Sequence, residues 1–338
     1  MATIKEIAKL SGYSIGTVSR VINNNPHVSP IARREISKII EELAFEPNSN
    51  ARVLKQKTNK QILVIVKGRE NHYLEGLVEK IENELQNYDK EMSVTYVNES
   101  DDEVAHAIKL NDRQRPEGII FLGIDPNNFN EDFKKIEIPC VILTNMATGM
   151  DYVNVSSFST NDLEASKCAC NYLIENGHRN IAIIGGTKVH DETCIESYRL
   201  QGVIEAMNEH NLAFDINKQF VGGPFSYEGG YNALVELLKL YPEVTAVFAM
   251  ADIIAIGAIR ACNDLNKKVP EDISIVGFDG IKQCEYCVPR LTTISQNNHE
   301  FARRGVKDLI DRIENSEKTS VSDIVPFALI QRASVRKI

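Results

Sequence analysis

The sequence predicts an α/β protein: a small all-α head followed by a body of two lobes, each a parallel sheet with flanking helices. Three observations carry this. The chain has 338 residues, 43% hydrophobic and 25% charged, a globular composition too long for one small core. From Lys60 onward, strand-sized apolar runs alternate with helical segments, the pattern of parallel sheets covered by helices. Charge is unevenly placed. Residues 1–60 hold ten Lys and Arg against five acids, a net +5 in a chain of net −9, so the remainder carries −14. A basic head on an acidic body fits one small module that meets phosphate while the rest avoids it.

In the head, Thr3 followed by Glu6 makes a capping box for a helix with Ile4, Ile7 and Ala8 on one face. It stops at Ser11-Gly12-Tyr13, and Ser14 caps a second helix that buries Val18, Val21 and Ile22. Asn23-Asn24-Asn25-Pro26 breaks the chain again. Ser29-Pro30 supplies an N-cap and an N1 proline for a third helix, whose apolar stripe is Ile36, Ile39, Ile40 and Leu43. In the body, strands are expected over 62–66, 92–97, 118–123, 139–143, 181–185, 244–250 and 273–278. Helices are expected over 73–87, 102–114, 195–210 and 253–266.

Several function classes drop out. No apolar run is long enough to span a bilayer as a helix. The opening Met1-Ala2-Thr3-Ile4-Lys5-Glu6 has no apolar signal core, so a cytoplasmic protein with no membrane partner is expected. Seven scattered cysteines suit a reducing compartment. Cys168-x-Cys170 and Cys284-x-x-Cys287 lack a second pair of ligands at finger spacing and read as buried free thiols. The seven histidines show no paired ligand spacing. Gly177-His178-Arg179 reads as a glycine helix stop flanked by solvated charges. Gly185-Gly186 and Gly222-Gly223 read as turns after strands, short of a dinucleotide fingerprint. No catalytic constellation, metal or cofactor is expected, and hence no enzyme.

Two binding sites are expected instead. The short second helix exposes Ser14, Ile15, Gly16, Thr17, Ser19 and Arg20. Small and hydroxylated residues allow close approach to base edges and phosphates, and an arginine can grip guanine with two bonds. In the body, polar residues recur where strands end: Thr144 and Asn145, Asp252, and Asp279. Open α/β sheets place ligands at those ends.

The residues that carry the head also carry a resemblance. Thr3-Ile4-Lys5-Glu6-Ile7-Ala8, Gly12-Tyr13-Ser14 and Thr17-Val18-Ser19-Arg20-Val21-Ile22-Asn23 are similar to the head of the lac/galactose repressor (LacI/GalR) family, through to Phe45-Glu46-Pro47-Asn48. The resemblance implies base reading by Ile15, Gly16 and Arg20, and phosphate positioning by Ser14, Thr17, Ser19 and Asn23. It also implies a hinge helix over about 50–56, with Asn50, Ala51, Leu54 and Lys55 at the DNA. There Leu54 would wedge into a minor-groove base step. A helix so short would form only in context.

The body resembles the same family, in the order of a periplasmic-binding-protein clamp. The similarity runs through Gly177-His178-Arg179-Asn180-Ile181-Ala182-Ile183-Ile184-Gly185-Gly186, Tyr198-Arg199-x-x-Gly202, Val269 to Asp279 and Leu291 to Gln296. The resemblance implies effector contact by Tyr73, Arg199, Phe225, Asp279 and Gln296. Thr144 and Ala251 depart from it, standing where many sugar-binding members carry Asp and where Asn or Ser is usual.

The expectation is therefore a homodimeric repressor, with residues 1–58 as DNA-binding head and hinge and 59–338 as effector and dimerisation body. The lobes are expected to be crossed near 156–160, 290–294 and 320–325. The expected partners are pseudo-palindromic operator DNA and a small effector, a sugar or sugar phosphate. A regulator gated by a protein corepressor is the alternative in mechanism, which the two departures favour slightly and the retained Arg199, Asp279 and Phe225 oppose. A solute-binding receptor is the alternative from another class, which the head and the missing signal core oppose.

Overall fold

A computed structural model describes residues 4–22, 28–43, 61–69, 71–147, 152–186 and 194–338. The chain divides into two compact units, Met1–Thr58 and Asn59–Ile338. The Thr3 cap, the Asn23 to Pro26 break and the hinge residues Asn50, Ala51, Leu54 and Lys55 lie outside the described residues.

The first unit holds α1 (Ile4–Ser11), α2 (Ile15–Ile22) and α3 (Pro30–Glu42). Gly12 turns the chain between α1 and α2 at a φ of +70°, where a side chain would be strained. Ile7, Val18, Val21, Ala32 and Ile36 close a small core, with Ile22, Ile39 and Ile40 packed at its edge. Ser29 caps α3, its hydroxyl accepting the Ala32 N–H at 3.3 Å. Leu43 does not join the expected stripe: α3 ends one residue earlier, and Leu43 is exposed.

The second unit contains two six-stranded sheets. In chain order it runs β1 (Gln61–Lys67), α4 (His72–Gln86), β2 (Glu91–Val97), α5 (Glu103–Gln114), β3 (Gly118–Leu122), β4 (Cys140–Leu143) and β5 (Val155–Ser159). Then come α6 (Asp162–Glu175), β6 (Ile181–Ile184), α7 (Ile195–Glu209), α8 (Ile216–Gln219), β7 (Phe220–Val221), α9 (Tyr227–Leu240), β8 (Ala246–Ala249) and α10 (Asp252–Asp264). It closes with β9 (Ser274–Asp279), β10 (Thr292–Ser295), α11 (Asn298–Glu314), β11 (Ser322–Ile324) and β12 (Ala328–Ile330).

The first sheet has order β11-β5-β4-β3-β1-β2 and is parallel throughout. The second has order β12-β10-β9-β8-β6-β7 and is parallel except for the β10–β12 pair. Strands such as Ile62–Val66 are apolar throughout because both faces are covered. Three passages join the lobes: Thr160–Asn161, Gln296–Asn297 and residues 325–327. The first and third begin at the last residue of the expected spans and the second lies two residues beyond its span, because β5, β10 and β11 run up to them. The strand β5 (Val-Ser-Ser-Phe-Ser) has no apolar run. Its serines are bonded into the neighbouring segment, Ser156 Oγ accepting the Val321 N–H at 3.0 Å and Ser157 Oγ pairing with Ser322 Oγ at 3.0 Å.

One sequence reading is corrected here. His178 is not solvated but 1% exposed, with Nδ1 at 3.0 Å from the Thr245 hydroxyl and Nε2 at 3.2 Å from the Arg336 carbonyl. A segment some 158 residues away covers it, and burial holds its pKa below the ordinary value.

Candidate functional site

The head presents one polar helix face. Ser14 caps α2: its Oγ accepts the Thr17 N–H at 3.1 Å and pairs with the Thr17 hydroxyl at 2.9 Å. Val18 and Val21 point into the core, which turns the rest of α2 outward. Ile15 is 48% exposed, Gly16 and Arg20 are exposed, and Thr17 and Ser19 are half-buried. The structure thus brings Ser14, Ile15, Gly16 and Thr17 to the capped N-terminal end of the helix, where N–H groups favour phosphate, and leaves Arg20 exposed in its last turn. Asn23 lies outside the described residues.

In the body the site grows from strand ends. Asp279 closes β9, Gln296 follows β10, Thr160 follows β5, and Tyr73 stands in the first turn of α4 beyond β1. Gly202 on α7 sets the geometry around Arg199. A Cβ there would sit 2.2 Å from the Leu163 carbonyl oxygen of α6. With no side chain between them, α6 and α7 close up, and Arg199 Nε reaches Asp162 Oδ1 at 2.7 Å. The same guanidinium donates through Nη1 to the Met250 carbonyl and lies 3.7 Å above the Phe278 ring. A buried cation over an aromatic face is favourable because the ring's negative face meets it.

Beside it, Gln296 Nε2 donates to Asp279 Oδ1 at 2.9 Å, and the Thr160 hydroxyl donates to Gln296 Oε1 at 2.9 Å. Arg199, Asp162, Asp279 and Gln296 are all at least nine-tenths buried. Burial pushes the Asp279 carboxyl up to about 8, with Arg199 opposing and Asp252 adding to the rise. Burial likewise raises Asp162, although Arg199 pulls it back.

Tyr73 covers this cluster from the first lobe. Its phenol is raised well above its ordinary range, first by burial and then by the charge of Asp279. Its hydroxyl is buried without a hydrogen-bond partner, as are Ser159 Oγ at the end of β5 and Asn298 Oδ1 at the start of α11. Orphaned buried polar atoms are costly. A fourth such atom, Asp308 Oδ1, lies within α11 beside Arg312; the Tyr73 hydroxyl is the one beside Arg199 and Asp279, where a polar ligand could satisfy it.

Other expected residues are placed differently. Thr144 and Asn145 end β4 in the first lobe, the Thr144 hydroxyl donating to Asn145 Oδ1 at 3.1 Å. Thr144 holds a φ of +79°, a strained conformation for a β-branched residue. Phe225 is half-buried against the core. Asp252, expected to meet effector, is an internal strut. It is fully buried, and its carboxylate accepts the N–H groups of Gly280 (2.6 Å) and Ile281 (2.9 Å) and the Thr293 hydroxyl. Asp162 and Thr160 were not among the expected residues. Their signal was Asn161, an N-cap whose Oδ1 accepts the Glu164 N–H at 3.2 Å, behind a serine-rich strand that does not read as one.

A helix-turn-helix with an open reading face, joined in one chain to a two-lobed clamp with a buried polar seam, defines a ligand-binding-fold DNA regulator. Comparison with known proteins places it further. Residues 3–48 match the family described as bacterial regulatory proteins, lacI family, and residues 170–335 match a periplasmic binding protein-like domain. The chain is 35% identical to the HTH-type transcriptional regulator MalR of Clostridium butyricum, over 98% of each protein. It is 32% identical to the HTH-type transcriptional repressor PurR of Pasteurella multocida, again over 98% of each. Among solved structures it resembles the transcriptional regulator CelR in complex with cellobiose, at a TM-score of 0.73 and 26% identity, covering 99% of this chain and 100% of that one. The chain belongs to the LacI family of bacterial transcriptional regulators. It is a DNA-binding regulator and not an enzyme. No helix among the described residues is long and apolar enough to cross a membrane.

Proposed function

We propose that this chain is a cytoplasmic, homodimeric repressor whose residues 1–58 bind a pseudo-palindromic operator, and whose release or grip is set by a small sugar-like molecule in the cleft of residues 59–338. The observation that carries the reading is the polar seam of Tyr73, Arg199, Asp279 and Gln296, with the Tyr73 hydroxyl buried and unpartnered. A polyhydroxylated ligand supplies the donors and acceptors such groups lack. The crystallised relative CelR carries cellobiose, which supports the same class here. Among the described residues, three buried acids against one guanidinium disfavour a phosphorylated ligand, since the added anion would meet like charge.

At the DNA, Ile15, Gly16 and Arg20 read bases, and Ser14, Thr17, Ser19 and Asn23 position phosphates. The family resemblance supports residues 50–56 as the hinge at the DNA, with contacts from Asn50, Ala51, Leu54 and Lys55. Two half-sites double the contacts one short helix can make. A thermal-shift screen against mono- and disaccharides and their phosphates tests the cleft, because a ligand that binds the folded state raises its melting point. Operator selection from a randomised DNA pool tests the head. An unphosphorylated sugar should raise the melting point and alter operator binding. Specific DNA binding by residues 59–338 alone would overturn the division of labour.

A further inference from the structure

We infer that closing the two lobes over Asp279 is coupled to the uptake of one proton by its carboxylate, so that the clamp closes more readily as pH falls. The inference rests on the reading of the body as a clamp, and adds a second input to it.

The argument starts from charge balance. Asp162, Asp252 and Asp279 are 6%, 0% and 8% exposed, and Arg199, at 4%, is the cation among the described residues that faces Asp162 and Asp279, with Asp252 adding its charge at Asp279. With all three acids ionised the cluster would carry −2 in a site shielded from water. An uncompensated buried charge of that size is neutralised by protonation rather than tolerated. The hydrogen bonds select which acid takes the proton. Asp162 is paired with the Arg199 guanidinium at 2.7 Å. Asp252 accepts two backbone N–H groups and a hydroxyl, and the Cys284 thiol also favours its anion. Asp279 accepts from the neutral amide of Gln296, so it has the weakest support as an anion. Glu196, at the start of α7, adds further negative charge near Arg199.

From the first lobe Tyr73, a neutral phenol, stands close enough to feel the charge of Asp279. Among the described residues, closure therefore brings no cation to Asp279; it brings a lid. Asp279 also sits on backbone at a φ of +120°, a conformation that surrounding structure must enforce, and the Gln296 amide holds its carboxyl in place at 2.9 Å. Parting the lobes lifts Tyr73 off, admits water and returns Asp279 toward an ordinary carboxylate. The closed form binds the proton more tightly than the open form. By linkage, each unit of rising pH between the ordinary and the raised pKa then shifts the balance toward opening by up to about tenfold.

The test uses full-length, ligand-free protein in three forms: wild type, Asp279→Asn and Asp162→Asn. The asparagine at 279 mimics the protonated acid in shape and charge. Small-angle scattering between pH 5 and 9 reads closure, and urea unfolding over the same range reads proton binding. Wild type should open progressively as pH rises, with its unfolding constant increasing up to about tenfold per pH unit relative to Asp279→Asn, while Asp279→Asn keeps one radius of gyration throughout. Should Asp279→Asn fail to fold, Asp162→Asn decides. Freed from Asp162, Arg199 can serve Asp279, and the transition should move at least one unit lower. Identical pH profiles for wild type and the folded variants would overturn the coupling. No effector is added, so that failure would leave the sugar-binding reading untouched, and a failed sugar screen would leave this coupling untouched.

Discussion

Replacing Arg199 by methionine isolates what the buried pair contributes, because methionine keeps most of the stem that packs over Phe278. The change leaves Asp162, 6% exposed, without its 2.7 Å partner. Removing one member of a buried ion pair costs about 3–5 kcal/mol. An independent bound comes from protonation: the orphaned acid can neutralise itself at about 1.4 kcal/mol per pH unit above its ordinary value near 3.9, or about 4 kcal/mol at pH 7. The two routes agree. The stacked cation is worth about 1–2 kcal/mol more where desolvated, so a loss of about 4–7 kcal/mol at pH 7 is expected. Protonation becomes easier in acid, so the deficit should shrink by about 2–3 kcal/mol at pH 5. Urea unfolding of both proteins at the two pH values measures it. Adding Asp162→Asn should restore most of the stability. A deficit under about 1 kcal/mol, or one indifferent to pH, would refute the reasoning.

Three further outcomes are expected. Gly202→Ala should cost about 1–3 kcal/mol in urea unfolding and abolish the effector response, since its Cβ would press on the Leu163 carbonyl and part the helices that hold Arg199 to Asp162. Ser14→Ala should cost the head about 0.5–2 kcal/mol by circular dichroism melting, by losing the cap on α2. His178 is held neutral below its ordinary pKa, so the stability it contributes is present above about pH 6.5 and lost as pH falls further; His178→Asn should flatten the acid limb of a thermal-melting profile.

Much of this architecture is legible in the residues, and the exceptions share a cause. The helices of the head follow from local signals: a serine cap, a glycine turn, a proline at N1. The apolar strands of the body stand out because sheets covered on both faces demand unbroken hydrophobic runs. The strand β5 escapes this rule because its serines satisfy themselves against residues 321 and 322, partners that no local window contains. Asp252 misleads for the same reason. A carboxylate at a strand-to-helix junction can face ligand or loop, and the loop that claims it begins 28 residues later. His178 is buried by a carbonyl 158 residues on. Of the seam residues, Asp279 stands out as a polar strand end, while Arg199 and Gln296 are named by the family resemblance alone. Asp162, which holds the arginine in place, is named by neither, because their meeting depends on how closely two helices approach.

The three passages between the lobes have a consequence for how such a chain can be inherited in parts. The first lobe draws on β1 to β5 and returns for α11 and β11, while the second takes α6 to β10 and then β12. Neither is a continuous stretch of sequence. One recombination event near residue 58 can exchange the whole first unit, since the boundary there is crossed once. Exchanging a single lobe would need three matched junctions at once, each through a segment of two or three residues. The lobes are therefore expected to travel through evolution as an inseparable pair, with signal recognition diverging by point substitution inside the cleft while DNA targets can be acquired wholesale.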